Sequence, residues 1–332
     1  MGKIAAVFMT GVLCLGLLAG CSGSSNAPTD SSSSEAASGQ TSSVSSASSA
    51  SDESASSSGA AGKVAKRQSR ASSVPAALKS QVKKDIAATS VEASFAYVDL
   101  ESGASYFIDG YGNSDGDAPM VSASVIKLLI LAAFLDQVDQ GDLDFDTVYT
   151  LQSSDIVGGT GSLQSRGAGA QVTLREAARL MITESDNVAA NILIDQMGMK
   201  YINAEAEKLG LTSTQLNRRM MEDNGRQNYM SARDAAVILK KIYQGTLVSK
   251  KMSALALEFL KGQTDDTGFA QGLSGQVTFA HKTGTLSSPS VQNDAGIVLA
   301  DHPYILVCFT AGSQQAGSVL MTELAESVQA NR

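Results

Sequence analysis

The chain has 332 residues, 43 % of them hydrophobic, a length that suits one large domain or two small ones. Its 25 Lys and Arg against 33 Asp and Glu give a formal net charge of −8, without the clustered cations that nucleic-acid phosphates require, so nucleic acid is excluded as a main partner. Three cysteines and two histidines are too few for a disulfide framework, and a zinc hydrolase site rich in His would lack ligands.

The N-terminus reads as Lys3 followed by an apolar run from Ile4 to Leu18, too short to span a membrane and suited to a signal peptide over residues 1–20. The run ends in Leu18-Ala19-Gly20-Cys21, which resembles the lipobox of bacterial lipoproteins. That resemblance implies lipidation of Cys21, export, and anchoring of the chain to the cell membrane with its folded part outside the cytoplasm. Residues 21–75 are dominated by Ser, Ala and Gly, too poor in apolar area to offset ordering entropy, and are expected to form a disordered tether.

The folded domain is expected over 76–332. Ala76 to Ala87 has helical spacing with one polar side, and Val91 to Val98 with Ala104 to Ile108 predicts a β-hairpin across Glu101-Ser102-Gly103. Ser124 to Val138 predicts a helix apolar almost all round, hence buried in the middle of a domain. Further helices are predicted at about Leu174–Ile182, Asn187–Gln196, Tyr201–Leu209, Ser231–Gln244 and Lys250–Leu260. Strands follow at Val277–Thr283, Ala295–Leu299 and Ile305–Thr310, before a last helix at about Gly317–Ala330. Cys308 falls in the apolar run Tyr304–Thr310 and reads as a core residue. A lone hairpin is marginal, so the early and late strands must pair. The expected fold is α+β, with a five-stranded antiparallel sheet made from both chain ends and packed with helices, plus an all-helical lobe from the middle.

Three motifs carry chemistry. In Ser124-Val125-Ile126-Lys127 the amine and the hydroxyl are three residues apart, so on a helix they share a face. Serine needs a neighbouring base, and burial plus a second cation would keep a lysine neutral enough to serve. Ser80-Gln81-Val82-Lys83 fits the same pattern, but on a short helix with a polar face, which reads as surface. Ser185-Asp186-Asn187 opens a helix and is by itself a good N-cap cluster. Lys282-Thr283-Gly284-Thr285 lies on a strand, where a lysine, hydroxyls and a glycine admitting close backbone approach would suit an anionic ligand.

Together these resemble the ordered set S-x-x-K, S-D-N, K-T-G of class A β-lactamases and penicillin-binding proteins. The resemblance covers essentially all of 76–332 and implies a serine enzyme acting on β-lactam amides. It implies that Ser124 forms an acyl-enzyme with the help of Lys127, and that Ser185 relays a proton to the departing nitrogen. The backbone N–H groups of Ser124 and Thr285 would form an oxyanion hole. Asn187 would bind a substrate amide, while Lys282, Thr283 and Thr285 would hold the substrate carboxylate, with Asp186 and Gly284 structural. No cofactor or metal is implied, and a monomer is expected. The family's hydrolases carry a loop glutamate that activates the deacylating water. If Arg218 matches the family's loop arginine, that position here holds Met220, and Glu222 is either a substitute base reached by another loop path or a solvated loop acid. The expected function is a serine β-lactamase. The alternatives are a slowly deacylating penicillin-binding or peptidoglycan-processing enzyme and a ligand-binding surface lipoprotein without catalysis.

Overall fold

The computed structural model describes residues 73–110, 115–275 and 277–332; the signal peptide, Cys21 and nearly all of the tether expected from the sequence lie outside them. In chain order, α1 (Ala76–Ala88) precedes β1 (Glu92–Asp99) and β2 (Ser105–Ile108). The two-residue strand β3 (Met120–Val121) leads into a 3₁₀ turn (Ala123–Ile126) and α2 (Lys127–Gln140). Next come β4 (Val148–Thr150), α3 (Leu163–Arg166), β5 (Gln171–Thr173), α4 (Leu174–Thr183), α5 (Asn187–Met197) and α6 (Met199–Leu209). Then follow β6 (Tyr229–Met230), α7 (Ala232–Gln244), α8 (Lys250–Lys261), β7 (Thr278–Ser287), β8 (Ser290–Leu299), β9 (Tyr304–Ala311) and α9 (Gln314–Asn331).

The main sheet has the order β2-β1-β9-β8-β7, with every neighbouring pair antiparallel. The two ends of the chain therefore close on each other, as expected. The β1–β9 register pairs Phe95 with Cys308 and Tyr97 with Leu306. Those four side chains pack with Leu320 and Leu324 of α9 and Leu78 of α1 on one face. The alternate residues Ala96, Ile305, Val307 and Phe309 face the helical lobe. A sheet covered on both sides needs no polar face, which is why β1 and β9 read as almost continuous apolar runs. Cys308 is fully buried, and that burial pushes its thiol pKa up.

Helix α2 is the axis of the lobe. All ten residues from Lys127 to Asp136 are buried, and Gly141 stops the helix in the left-handed conformation at φ 83°. Truncating one of its central side chains, such as Leu131→Ala, is worth about 2–5 kcal/mol of stability. The start differs from expectation: Ser124 sits in a 3₁₀ turn, where Val125 N–H donates to Ser122 O at 3.0 Å. Side chains of Thr173, Asp186, Ser231, Ser249 and Ser313 each accept from the first turn of the following helix. Each such cap contributes about 1 kcal/mol. The paired short strands β3–β6 and β4–β5 carry no sequence period, and neither pairing is anticipated by the sequence.

Candidate active site

The 3₁₀ turn ahead of α2 brings Ser124 and Lys127 together. Lys127 is fully buried, and its Nζ lies 3.1 Å from Ser124 Oγ. The same nitrogen lies 2.7 Å from Ser185 O, 3.2 Å from Ser185 Oγ and 2.9 Å from Asn187 Oδ1. A neutral amine has two hydrogens and one lone pair. With the hydrogens given to Ser185 O and Asn187 Oδ1, the lone pair is left for the Ser124 hydroxyl proton. Burial pulls the Lys127 pKa well below its ordinary value, Lys282 adds to the fall, and Asp186 opposes it. The arrangement can therefore take a proton from Ser124.

Ser185 reaches Lys127 because its backbone is in the left-handed region, at φ 53°. For a residue other than glycine this conformation costs roughly 1–2 kcal/mol. It is held from two sides: Ser185 O also accepts from Thr160 Oγ1 at 2.7 Å, and the next residue caps α5. Asp186 is fully buried and braces the loop, its Oδ1 accepting from Ala189 N–H at 2.9 Å and its Oδ2 from Leu163 N–H at 2.8 Å. Asn187 Nδ2 donates to Gly158 O at 3.1 Å, so both ends of that amide are already engaged. The second N–H of Nδ2 and the second lone pair of Oδ1 remain for an incoming ligand amide.

From the sheet, β7 contributes Lys282, Thr283 and Thr285. Lys282 is also fully buried; burial lowers its pKa to about 7 against the opposing pull of Asp265 and Asp294. Its Nζ donates to Thr283 O at 2.8 Å. Gly284 has a local reason: a Cβ there would lie 2.9 Å from Ser122 O, Ser124 N and Val125 N. Only glycine lets the strand press its backbone against the turn that carries Ser124.

These groups open onto a cavity of about 400 Å³, whose lining includes Ser124, Ser185, Asn187, Thr283, Thr285 and Met220. Glu222 is not among its lining residues. The Glu222 side chain is exposed and its Oε2 accepts from Arg219 N–H at 3.1 Å. The loop path is fixed elsewhere. Asn191 is buried on α5, one turn after Asn187, and its side chain bonds both the N–H and the C=O of Met220, at 2.7 and 3.1 Å. Asn228 holds Asn217 N–H, Arg218 N–H and Arg218 O in the same way. Met220 and Met221 line the cavity, and Met220 is the residue that stands at the family's glutamate position if Arg218 matches its loop arginine. Thr160, Asn191 and Asp265 were not anticipated. Asn191 alone had a signal, its spacing of four from Asn187, whereas the other two sit on loops without pattern.

Similarity to known proteins agrees with this geometry. The family model described as the beta-lactamase enzyme family matches residues 77–330. The extended-spectrum beta-lactamase PER-1 of Pseudomonas aeruginosa is 27 % identical over 224 residues, 61 % of this chain and 72 % of that protein. A solved structure of PBP-A is 30 % identical, covers 77 % of this chain and 96 % of its own, and superposes with a TM-score of 0.70. A variant of PBP-A, solved as an acyl-enzyme complex with penicillin G, is also 30 % identical, covers 76 % of this chain and 95 % of its own, and gives 0.69. A match across the whole folded domain, on a fold and cavity of this construction, places the chain in the beta-lactamase enzyme family, as a serine enzyme of the class A kind.

Proposed function

We propose that this serine β-lactamase works through an acyl-enzyme on Ser124 and that release of the acyl group limits its turnover. The carrying observation is the buried Lys127 amine, 3.1 Å from Ser124 Oγ with both its hydrogens engaged elsewhere. Ser124 passes its proton to Lys127 and its Oγ attacks the lactam carbonyl. The oxyanion forms against the backbone N–H groups of Ser124 and Thr285, an interaction commonly worth about 3 kcal/mol. Ser185 Oγ, 3.2 Å from Lys127 Nζ, hands its proton to the lactam nitrogen as the C–N bond breaks and is reprotonated by Lys127, which thereby passes on the proton it took from Ser124 and returns to the neutral amine. Burial keeps Lys127 neutral, and repulsion by Lys282 adds to it. Water then hydrolyses the ester. On the wall of Met220 and Met221 that water has thioethers for neighbours, and Glu222 is not part of the cavity lining.

A slowly deacylating penicillin-binding enzyme is favoured by the same methionine wall and by the resemblance to PBP-A. Intact-protein mass spectrometry during a penicillin time course separates the two. We expect a burst of adduct on Ser124 followed by slow, steady turnover. An adduct that persists without product would assign the penicillin-binding role, and no adduct at all would sink both. Met220→Glu should shorten the adduct's life, since it returns a carboxylate to that wall. The sequence Leu18-Ala19-Gly20-Cys21 further supports an exported lipoprotein held at the membrane by Cys21. Cys21→Ser should abolish labelling by radioactive palmitate and release the protein from membranes.

A further inference from the structure

Of the two methionines that line the cavity, one is open to solvent. Met221 is 52 % exposed, the only exposed methionine among the described residues, whereas Met220 is buried. Met221 stands third in the turn closed by Glu222 N–H on Arg219 O, with φ at 63°, in the left-handed region that glycine takes at less cost. The bonds from Asn191 fix the backbone of Met220 just before it. The thioether of Met221 is thereby held at the mouth, against both the cavity and the solvent.

The sulfur shares its surroundings with Asn187. A Cβ added at Gly159 would lie 2.5 Å from Asn187 Nδ2 and 3.3 Å from Met221 Sδ, so the amide and the thioether border the same gap. Asn187 Nδ2 gives one hydrogen to Gly158 O and has a second to give. A thioether is a weak acceptor and leaves that hydrogen to a ligand amide. A sulfoxide is polar, and on a side chain with three rotatable bonds its oxygen can take the hydrogen. A peroxide makes that change in one step. A sulfur lone pair attacks one oxygen of hydrogen peroxide, the S–O bond forms and the O–O bond breaks. The departing hydroxide takes the proton of the transferred oxygen and leaves as water. Sulfur is oxidised by two electrons and the peroxide is reduced by two.

We infer that Met221 is an oxidation site, at which a peroxide creates a sulfoxide that competes with substrate side-chain amides for Asn187. The inference rests on the proposed reaction at Ser124 and adds its regulation by oxidant. Exposure selects the site: every other methionine of the described residues is buried, except the half-buried Met199, and the Cys308 thiol is fully buried. Asn187 Oδ1 keeps its place on Lys127 Nζ, so the base is undisturbed and the effect falls on binding.

The test treats the protein with hydrogen peroxide and locates the added oxygen by peptide mass spectrometry. It then measures the second-order rate of adduct formation with two probes: benzylpenicillin, which carries a side-chain amide, and the penicillin nucleus bearing a free amine in its place. Oxygen should appear on Met221 before any other described methionine. The rate with benzylpenicillin should fall about tenfold, through KM rather than kcat, while the nucleus stays within about twofold. Methionine sulfoxide reductase should restore the rate, an arm that needs no variant. In Met221→Leu, of similar volume, peroxide should leave the rate as it was. Equal losses with both probes, an unchanged rate once Met221 is fully oxidised, the same loss in Met221→Leu, or earlier oxidation of a buried methionine would each overturn the inference. If neither probe forms an adduct with untreated protein, the reading of Ser124 fails instead. Binding of benzylpenicillin to Ser124→Ala by calorimetry, before and after oxidation, then decides the role of Met221, an unchanged Kd overturning it.

Discussion

The two walls of the cavity are built by different means. The wall that holds Ser124, Lys127, Ser185 and Lys282 comes from the start of a buried helix, a helix cap and a sheet strand. Of those four, Lys127 and Lys282 are fully buried. The facing wall of Met220 and Met221 is a loop whose backbone hangs from two asparagines, and Met221 is about half exposed, at 52 %. Rigid elements fix a proton transfer to within tenths of an ångström. A loop fixes little beyond which side chain points inward. The difference teaches that, on the proposed reaction, forming the acyl-enzyme would belong to the fold and its release to a few loop residues.

The contrast can be broken hardest at Lys127. Lys127→Met removes the only amine touching Ser124 among the described residues, and adduct formation should slow by about 10²–10⁴-fold. A loss under tenfold in stopped-flow acylation would place the base elsewhere.

Next is Gly284→Ala, whose added carbon meets backbone atoms of the Ser122–Val125 turn. Separating strand and turn should cost about 1–3 kcal/mol of stability, read by denaturant unfolding, and slow acylation with it. Full stability and activity would mean that the turn moves freely.

A smaller effect comes from pH. Lys282 titrates at about 7 folded, against an ordinary 10.5. Between those values the unfolded chain binds more protons than the folded one, so the burial of Lys282 destabilises most below pH 7 and the penalty fades as pH rises toward 10. The stability gap between the wild type and Lys282→Met should therefore shift in favour of the wild type from pH 7 to pH 9 in thermal scans. A gap independent of pH would mean that Lys282 is charged throughout.

The smallest expected effect is at Glu222. Glu222→Gln should change adduct lifetime by less than twofold, because that side chain does not line the cavity and is bonded to Arg219 N–H. A trapped adduct would show that the loop turns Glu222 inward during turnover.

The same contrast decided what could be read from the sequence. The buried helix after Ser124, the cap at Asp186 and the late strands each carry their own signal in apolar runs, spacing or capping residues, and all appear within a few residues of expectation. The three motifs could be grouped, but the φ of 53° at Ser185 and the 3₁₀ start at Ser124 are set by tertiary contacts and leave no trace in spacing. Strands of two or three residues, such as β3 and β4, are shorter than any period. The loop from 216 to 230 was the least legible part: its course depends on Asn191 and Asn228, polar residues whose partners are backbone groups far away in the chain or across the loop.

The sheet order has a consequence for how the protein comes into being. Its first strand lies between the second and the last, so the sheet cannot close until the C-terminal strands have been made. Ser124 and its partner strand around Gly284 are 160 positions apart, and pairing across that separation carries a loop-closure cost that slows folding. A chain interrupted anywhere in the helical lobe would hold Ser124 without the strand that presses on its turn. On the proposed reaction, reactivity toward acylating compounds would then wait for that strand.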